Sequence, residues 1–286
     1  TRWTDVTGVQ TCALPIYARG ATELGVREFL VFGTASTARD NEASAASDPN
    51  SPVCTAIREL SRSFPECRFW GHVTLAHYTE HGGNCCVGNN GEIDWELTTD
   101  RFCKICATLA TSGAGIVLPF LLRPGAISSI RSYLQSNGLE DTAVFSYGAK
   151  FRSSLYGPFN RSTGITESSF GDLQLEPWDR EGAMEKIRRD VSEGSEGLVV
   201  KPALFYLDVI LSARSSTELP LVAYMVSGEY MMLRHAAATG IAEGRASMLE
   251  AHTSILRAGA DLVISYDALD LDRKSTRLNS SHVSQS

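Results

Sequence analysis

The sequence predicts an α/β fold, a TIM (β/α)8 barrel in which parallel strands alternate with helices. Two observations support this prediction. Short apolar runs rich in β-forming residues alternate seven times with longer stretches that have the period of a helix. The runs at residues 29–32, 198–200 and 262–264 are apolar without alternation, as in strands that are buried on both faces. An open, doubly wound sheet is the alternative architecture.

The elements follow one another along the chain as strand and helix. The predicted strands cover residues 28–33, 69–78, 115–120, 142–150, 197–203, 219–228 and 261–266. The predicted helices cover residues 51–64, 95–111, 127–135, 181–193, 206–214, 230–239 and 243–258. Seven strands are one short of a barrel, so we expect that truncation removed the first strand and the last helix.

The two ends of the chain are expected to derive from sequencing rather than from the protein. Residues 6–16 back-translate into a common short-read sequencing adapter, and residues 272–282 back-translate into its complementary strand. We therefore divide the chain into an adapter-derived segment at 1–16, a barrel domain at 17–271 and a second adapter-derived segment at 272–286. A pair of ordinary tails is the alternative.

The composition excludes several classes of partner. The chain has 26 basic and 33 acidic residues and a net charge of −7, whereas proteins that bind nucleic acid present stripes of Lys and Arg. No run approaches the roughly 18–20 apolar residues of a membrane span. The cysteines are too sparse for a disulfide scaffold, so we expect a cytoplasmic protein with reduced thiols. Cys103 and Cys106 lie in a helical stretch and are expected to pack in the core.

Two lysines each end an apolar strand. Lys150 closes the strand at 142–150, and Lys201 follows Leu-Val-Val in the next strand. The carboxyl ends of parallel barrel strands meet at one face, so the two amines should lie close together. Burial and mutual repulsion both lower the pKa of an ammonium group, which leaves a neutral amine able to attack a carbonyl. Position alone leaves two interpretations open, a Schiff-base pair and a pair of structural ion-pair partners.

The segments around both lysines resemble one known family. Residues 146–151 read Ser-Tyr-Gly-Ala-Lys-Phe and residues 156–159 read Tyr-Gly-Pro-Phe. Residues 200–204 read Val-Lys-Pro-Ala-Leu, and Val-Ser-Gly-Glu-Tyr follows at 226–230. In this order they resemble the porphobilinogen synthase, or delta-aminolevulinic acid dehydratase, family.

The resemblance implies an activity and a set of site residues. Members of this family are lyases of heme and tetrapyrrole biosynthesis, which condense two 5-aminolevulinate molecules to porphobilinogen with loss of two waters. Both lysines form Schiff bases, and Lys201 matches the principal one. The matching substrate-binding residues are Ser227 and Tyr266 for the first carboxylate, Tyr156, Phe159 and Gln174 in the lid, and Tyr224 in the wall. The family assembles as octamers through an N-terminal arm, and the resemblance leaves the oligomeric state of this chain open.

The metal site departs from the family pattern. Family members use zinc or magnesium, but Thr74 and Ala76 stand where zinc-type members have two cysteines, and His72 replaces an aspartate. Cys85 and Cys86 are near the third cysteine position. Together with His72 they are the remaining candidates for a rebuilt metal site, but strand alternation should send His72 and His77 to opposite faces. We therefore expect no resident cofactor.

The lid departs from the pattern as well. Asn160 stands where the family has an arginine that binds the second substrate, and a second lid arginine is missing. Arg161 or Arg152 could replace them or could be solvated surface charges. Residues 118–122 are apolar where the family has a polar pair. Three hypotheses follow: a metal-independent porphobilinogen synthase, a relative that forms an imine with a different amino ketone or aldehyde, and a catalytically silent binding or assembly relative.

Overall fold

The barrel strands follow one another in space in the order of the chain. The computed structural model describes residues 14–33, 39–157, 160 and 173–267. In this part, seven parallel strands form one sheet, and neighbouring strands are consecutive except for a small hairpin between the second and third. A doubly wound sheet reverses its strand order at a switch point, so the predicted barrel is confirmed. The strands are β1 (Glu28–Val31), β2 (Arg68–His72), β5 (Ile116–Leu118), β6 (Ala143–Lys150), β7 (Gly197–Lys201), β8 (Leu221–Tyr224) and β9 (Leu262–Ile264), and the hairpin strands are β3 (Cys86–Val87) and β4 (Ile93–Asp94).

Eight helices among the described residues accompany the sheet. Several begin at side-chain caps: Ser51 Oγ accepts from Cys54 N, and Asp94 accepts from the backbone N–H groups of Glu96 and Leu97. At the carboxyl end of the Trp95–Thr111 helix, Gly113 adopts a φ of 105°, in the left-handed region that glycine tolerates. The helices are Leu14–Glu23, Pro52–Ser63, Trp95–Thr111, Ala126–Ser136, Arg180–Ser192, Leu207–Ser216, Ser227–Ala238 and Gly244–Arg257.

Two layers of apolar side chains position the site. The inner layer fills the barrel with aromatic and branched residues, including Trp70, Tyr147 and Tyr224, and both outer strands β1 and β9 contribute to it. The outer layer packs the helices against the sheet, and Cys103 and Cys106 are buried there as expected. In a barrel of this kind, the polar groups that carry chemistry lie at the carboxyl ends of the strands, above this inner layer. No helix in the described ranges has the length and apolarity needed to cross a bilayer.

Most of the barrel strands end a few residues before the predicted end, and two of them, β2 and β8, end much earlier. The strand predicted at 69–78 ends at His72, and the chain then turns, because the N–H groups of Tyr78 and Thr79 both donate to Leu75 O. The alternation that was expected to send His72 and His77 to opposite faces of a strand therefore stops at His72 and does not reach His77. The strand predicted at 219–228 ends at Tyr224, so Ser227 begins a helix.

Candidate active site

The two lysines that the sequence singles out are paired across the sheet. Lys150 ends β6, Lys201 ends β7, and their Cα atoms are register partners. Adjacent strands lie about 4.8 Å apart, so the two side chains leave the sheet next to each other. Lys201 is 8% exposed, and its carbonyl accepts the N–H of Phe151 at 2.9 Å. The predicted proximity of the two amines at the carboxyl end of the barrel is confirmed.

Aromatic rings surround both amines. The Nζ atom of Lys201 lies 4.3 Å from the ring centroid of Tyr224, 5.2 Å from that of Tyr156 and 5.5 Å from that of Tyr147. The Nζ atom of Lys150 lies 5.8 Å from the Tyr147 centroid and 4.9 Å from that of Phe120. Tyr147 therefore contacts both amines. These rings exclude water while offering the amines the negative faces of their π systems.

Burial lowers the pKa of Lys201 well below its ordinary value. The charge of Lys150 lowers it further, and the carboxylate of Glu229 opposes both effects. A primary amine attacks a carbonyl only in its neutral form, so the depressed pKa gives Lys201 a larger nucleophilic fraction at neutral pH than an exposed lysine has. The electrostatics of the site therefore suit imine formation at Lys201.

The contribution of Lys150 to this depression can be measured. Replacing Lys150 with methionine removes a positive neighbour, so the pKa of Lys201 should rise and the acid limb of its pH–rate profile should move to higher pH. The measurement is the rate of borohydride-trapped adduct formation on Lys201 against pH. The Lys150→Arg variant keeps the charge and is the matched control. The acid limb of its pH–rate profile should stay near that of the parent protein. A Lys150→Met limb at or below the parent position would contradict this electrostatic assignment.

Glu229 anchors the loop that follows Lys201, a role that the motif match did not reveal. Its buried carboxylate accepts the backbone N–H groups of Ala203 at 3.1 Å, Leu204 at 2.6 Å and Val226 at 2.6 Å. Burial raises its pKa to about 7, and these N–H groups and Lys201 oppose the rise. One carboxylate thus joins the end of β7 to the start of the Ser227–Ala238 helix. The sequence pattern could not predict this link, because it does not show which way the side chain of a glutamate in the first turn of a helix points.

The start of the same helix faces the mouth of the barrel. Ser227 is buried, and its Oγ has no hydrogen-bond partner among the described residues. A Cβ on Gly228 would lie 2.3 Å from Leu155 O, so only glycine allows this close approach to the turn at Ser154–Tyr156. Tyr266 lies opposite, with its Oη 3.2 Å from Tyr224 Oη. The structure thus brings Ser227, Tyr224 and Tyr266 to the end of the barrel that holds Lys201.

The described part of the lid begins beside Lys150. The Tyr156 hydroxyl donates to Phe151 O at 2.8 Å. Gln174 precedes Leu175, whose N–H donates to Lys150 O at 3.0 Å. Arg152 pairs with Glu176 at 2.7 Å and is half exposed, an arrangement that favours a surface role. Phe159 and Arg161 lie outside the described residues.

Comparison with known proteins decides the family. The family model described as delta-aminolevulinic acid dehydratase matches residues 5–274. The chain belongs to the delta-aminolevulinic acid dehydratase family. It is 37% identical over 253 residues to the delta-aminolevulinic acid dehydratase of Halalkalibacterium halodurans, covering 87% of this chain and 76% of the relative. The corresponding Candida glabrata protein is 39% identical over 257 residues, which cover 87% of this chain and 75% of the relative.

A solved structure supports the same assignment. The delta-aminolevulinic acid dehydratase of Toxoplasma gondii, in complex with the reaction product porphobilinogen, superposes with a TM-score of 0.87 at 33% identity, covering 92% of this chain and 76% of that one. The carboxyl transferase domain of Rhizobium etli pyruvate carboxylase has a TM-score of 0.51 at 12% identity and covers 92% of this chain and 38% of that one. The second likeness shows the fold alone.

The residues at the metal-ligand positions do not fit a family-type metal. Thr74 donates its hydroxyl to Asn84 Oδ1 at 3.2 Å, and Ala76 carries no donor atom. Burial raises the thiol pKa of Cys85 and that of Cys86 to about 11, which disfavours the thiolate that zinc requires. The described ranges, which include His72, Cys85 and Cys86, contain no group of three His, Cys, Asp or Glu side chains placed to hold an ion.

Proposed function

We propose that this chain condenses two molecules of 5-aminolevulinate to porphobilinogen with loss of two waters, as a porphobilinogen synthase of tetrapyrrole biosynthesis. The observation that carries the proposal is the register pair Lys150–Lys201 at the ends of β6 and β7. Lys201 is buried among tyrosine rings in a chain of the delta-aminolevulinic acid dehydratase family. A site for a silent relative would have no need of two amines within one aromatic enclosure.

The first substrate is bound as an imine of Lys201. The neutral amine attacks the ketone carbon and forms the C–N bond, and the resulting carbinolamine loses its hydroxyl group as water. The substrate carboxylate binds at Ser227 and Tyr266, where a buried hydroxyl and the positive end of the Ser227–Ala238 helix both favour an anion. Tyr224 and Tyr156 exclude bulk water from the imine.

Removing the Ser227 hydroxyl should weaken substrate binding. A hydrogen bond to a charged group contributes about 1.5–3 kcal/mol, so Ser227→Ala should raise KM roughly tenfold to a hundredfold with a smaller change in kcat. Steady-state kinetics with 5-aminolevulinate measures both constants. Thr239→Ala changes the hydroxyl residue that follows the other end of the same helix and should leave KM unchanged. A Ser227→Ala variant with parental KM would remove Ser227 from the carboxylate site.

Cofactor, compartment and assembly belong to the same proposal. Relatives in this family use metal ions, and we propose that condensation in this chain proceeds without a metal at the positions of Thr74 and Ala76. The six cysteines from Cys54 to Cys106 that the structure describes are all free, which supports a reducing, cytoplasmic compartment. Assembly into the family octamer is proposed only for a chain that carries the N-terminal arm.

Turnover tests the proposal. Purified protein is incubated with 5-aminolevulinate alone, with chelator, and with added zinc or magnesium, and the pyrrole product is measured. We expect porphobilinogen in all conditions at similar rates. Product formed only with added metal would overturn the metal-independent form of the proposal, and an imine without pyrrole would indicate a different second substrate. Folded protein that yields neither imine nor pyrrole would overturn the proposed function.

A further inference from the structure

A histidine stands at the mouth of the barrel beside the two lysines. His72 ends β2 and is half-buried. Its Nδ1 atom is hydrogen bonded to Tyr147 Oη at 3.2 Å, and its ring packs edge-on against the Tyr147 ring at 5.8 Å between centroids. The Phe32 ring covers it at 4.6 Å. Since the Tyr147 ring also contacts both amines, one tyrosine links the imidazole to the site where the imine of Lys201 would form.

The surroundings of His72 disfavour the charged, imidazolium form of its ring. Burial lowers its pKa well below the ordinary value, and the charges of Lys201, Lys150 and His77 lower it further. These groups reach it from β7, β6 and the loop after β2, Tyr147 reaches it from β6, and the ring that packs from the side of β1 is not ionisable. A neutral imidazole can accept a proton, which an imidazolium cannot.

The proposed reaction requires such an acceptor. This step rests on the proposed function, because it begins from the imine of Lys201. A protonated imine acidifies the C–H bonds on the carbon next to it, and that carbon lies only two bonds from Nζ. Loss of this proton makes the carbon nucleophilic, so that it can attack the carbonyl of a second molecule, provided that a base lies within reach.

Glu229 and the tyrosine hydroxyls of the described site are poorly suited to this role. The oxygens of Glu229 are occupied by three backbone N–H groups. The hydroxyls of Tyr147, Tyr224 and Tyr266 have a pKa raised by burial, so they remain protonated at neutral pH. The neutral imidazole offers a basic lone pair without prior ionisation.

We propose that His72 is a catalytic residue, the base that removes the proton from the carbon next to the Lys201 imine. In the tautomer that this requires, Nδ1–H donates to Tyr147 Oη and Nε2 carries the free lone pair. The C–H bond breaks, its electron pair forms the C=C bond of an enamine, and the π electrons of the C=N bond move to the lysine nitrogen. The proton passes to Nε2, giving an imidazolium that returns it in a later step.

Hydrogen exchange separates this step from imine formation. The probe is 4-oxopentanoate in D2O, which has the ketone and the carboxylate but lacks the amine needed to complete a pyrrole. NMR follows loss of its C3 proton signals, and borohydride trapping follows the adduct on Lys201 in the same sample. Parent protein should show both exchange and adduct. His72→Gln should form the adduct but exchange about 10²–10⁴-fold more slowly.

Three further variants sharpen the test. His77→Gln changes a second buried histidine, in the loop after β2, and should exchange at the parental rate. His72→Asp places another base at the same position and should recover part of the rate. Tyr147→Phe keeps the ring but removes the hydrogen bond to Nδ1, and should slow exchange about tenfold or more if His72→Gln fails to fold.

The outcomes distinguish the two proposals. Adduct formation with parental exchange in His72→Gln, or in Tyr147→Phe where His72→Gln does not fold, would overturn the role of His72 and leave the proposed function intact. Absence of any adduct on Lys201 of the folded parent would overturn the proposed function, and with it the step assigned to His72. The role of His72 as the base would be supported if His72→Gln kept the adduct but lost exchange while His77→Gln exchanged at the parental rate.

Discussion

Replacing Lys201 with methionine is expected to lower the rate of porphobilinogen formation by at least about 10⁴-fold, because no other group can supply its covalent bond to the substrate. Methionine has a similar length and suits an enclosure of tyrosine rings, so the fold should survive. The measurement is the initial rate of pyrrole formation together with the thermal midpoint of unfolding. A large loss of rate with little change in the midpoint would identify Lys201 as chemically essential.

Lys104→Met is the matched control for this variant. Lys104 pairs with Asp100 on the surface of the Trp95–Thr111 helix, where an exposed ion pair contributes little to stability. This variant should retain the parental rate. A Lys201→Met protein that is folded and keeps a tenth or more of the parental rate would contradict the assignment of Lys201 as the principal nucleophile.

Replacing Lys186 with methionine is expected to destabilise the fold by about 3–5 kcal/mol, the usual effect of leaving one member of a buried ion pair without its partner. Lys186 Nζ donates to the Asp190 carboxylate one helical turn later, and both residues are 2% exposed. Burial lowers the pKa of Lys186 and raises that of Asp190, so desolvation opposes both charges while their attraction offsets part of this cost. Urea unfolding measures the change.

The double variant Lys186→Met/Asp190→Leu is the control for this prediction. Removing both charges abolishes the desolvation cost as well as the attraction, so it should recover most of the lost stability. The Lys186 ammonium also lies 5.5 Å from the Phe120 ring, which Lys150 contacts from 4.9 Å. A single variant as stable as the parent, or a double variant no better than the single, would show that the pair is not the buried, coupled unit described here.

The strand ends could be predicted where they carry chemistry. The apolar runs before Lys150 and Lys201 fix the positions of β6 and β7, and the parallel topology then brings the two amines to one face. The end of β2 could not be predicted, because residues 73–78 continue an apolar pattern that a strand and a buried turn share. The position of His77 is therefore set by that turn and not by alternation along a strand.

Buried polar partners were the part beyond prediction. Lys186 and Asp190 occupy the same face of their helix as Ala183 and Ile187, a spacing that places them on the apolar stripe and in retrospect indicates burial. The hydrogen bonds of Glu229 join segments more than twenty residues apart, and such contacts have no periodic signature in the chain. The same holds for Asn84, which accepts from Leu75 N–H and donates to Phe120 O beside Thr74.

The most direct test of the central claim is to trap the imine on the parent protein. The chain is incubated with 5-aminolevulinate, reduced with borohydride and digested, and mass spectrometry maps any adduct among the five lysines, Lys104, Lys150, Lys186, Lys201 and Lys274. We predict an adduct on Lys201, with or without a second on Lys150, and none on the other three. A folded protein with no adduct on Lys201 or Lys150 would contradict the claim that this barrel performs Schiff-base chemistry.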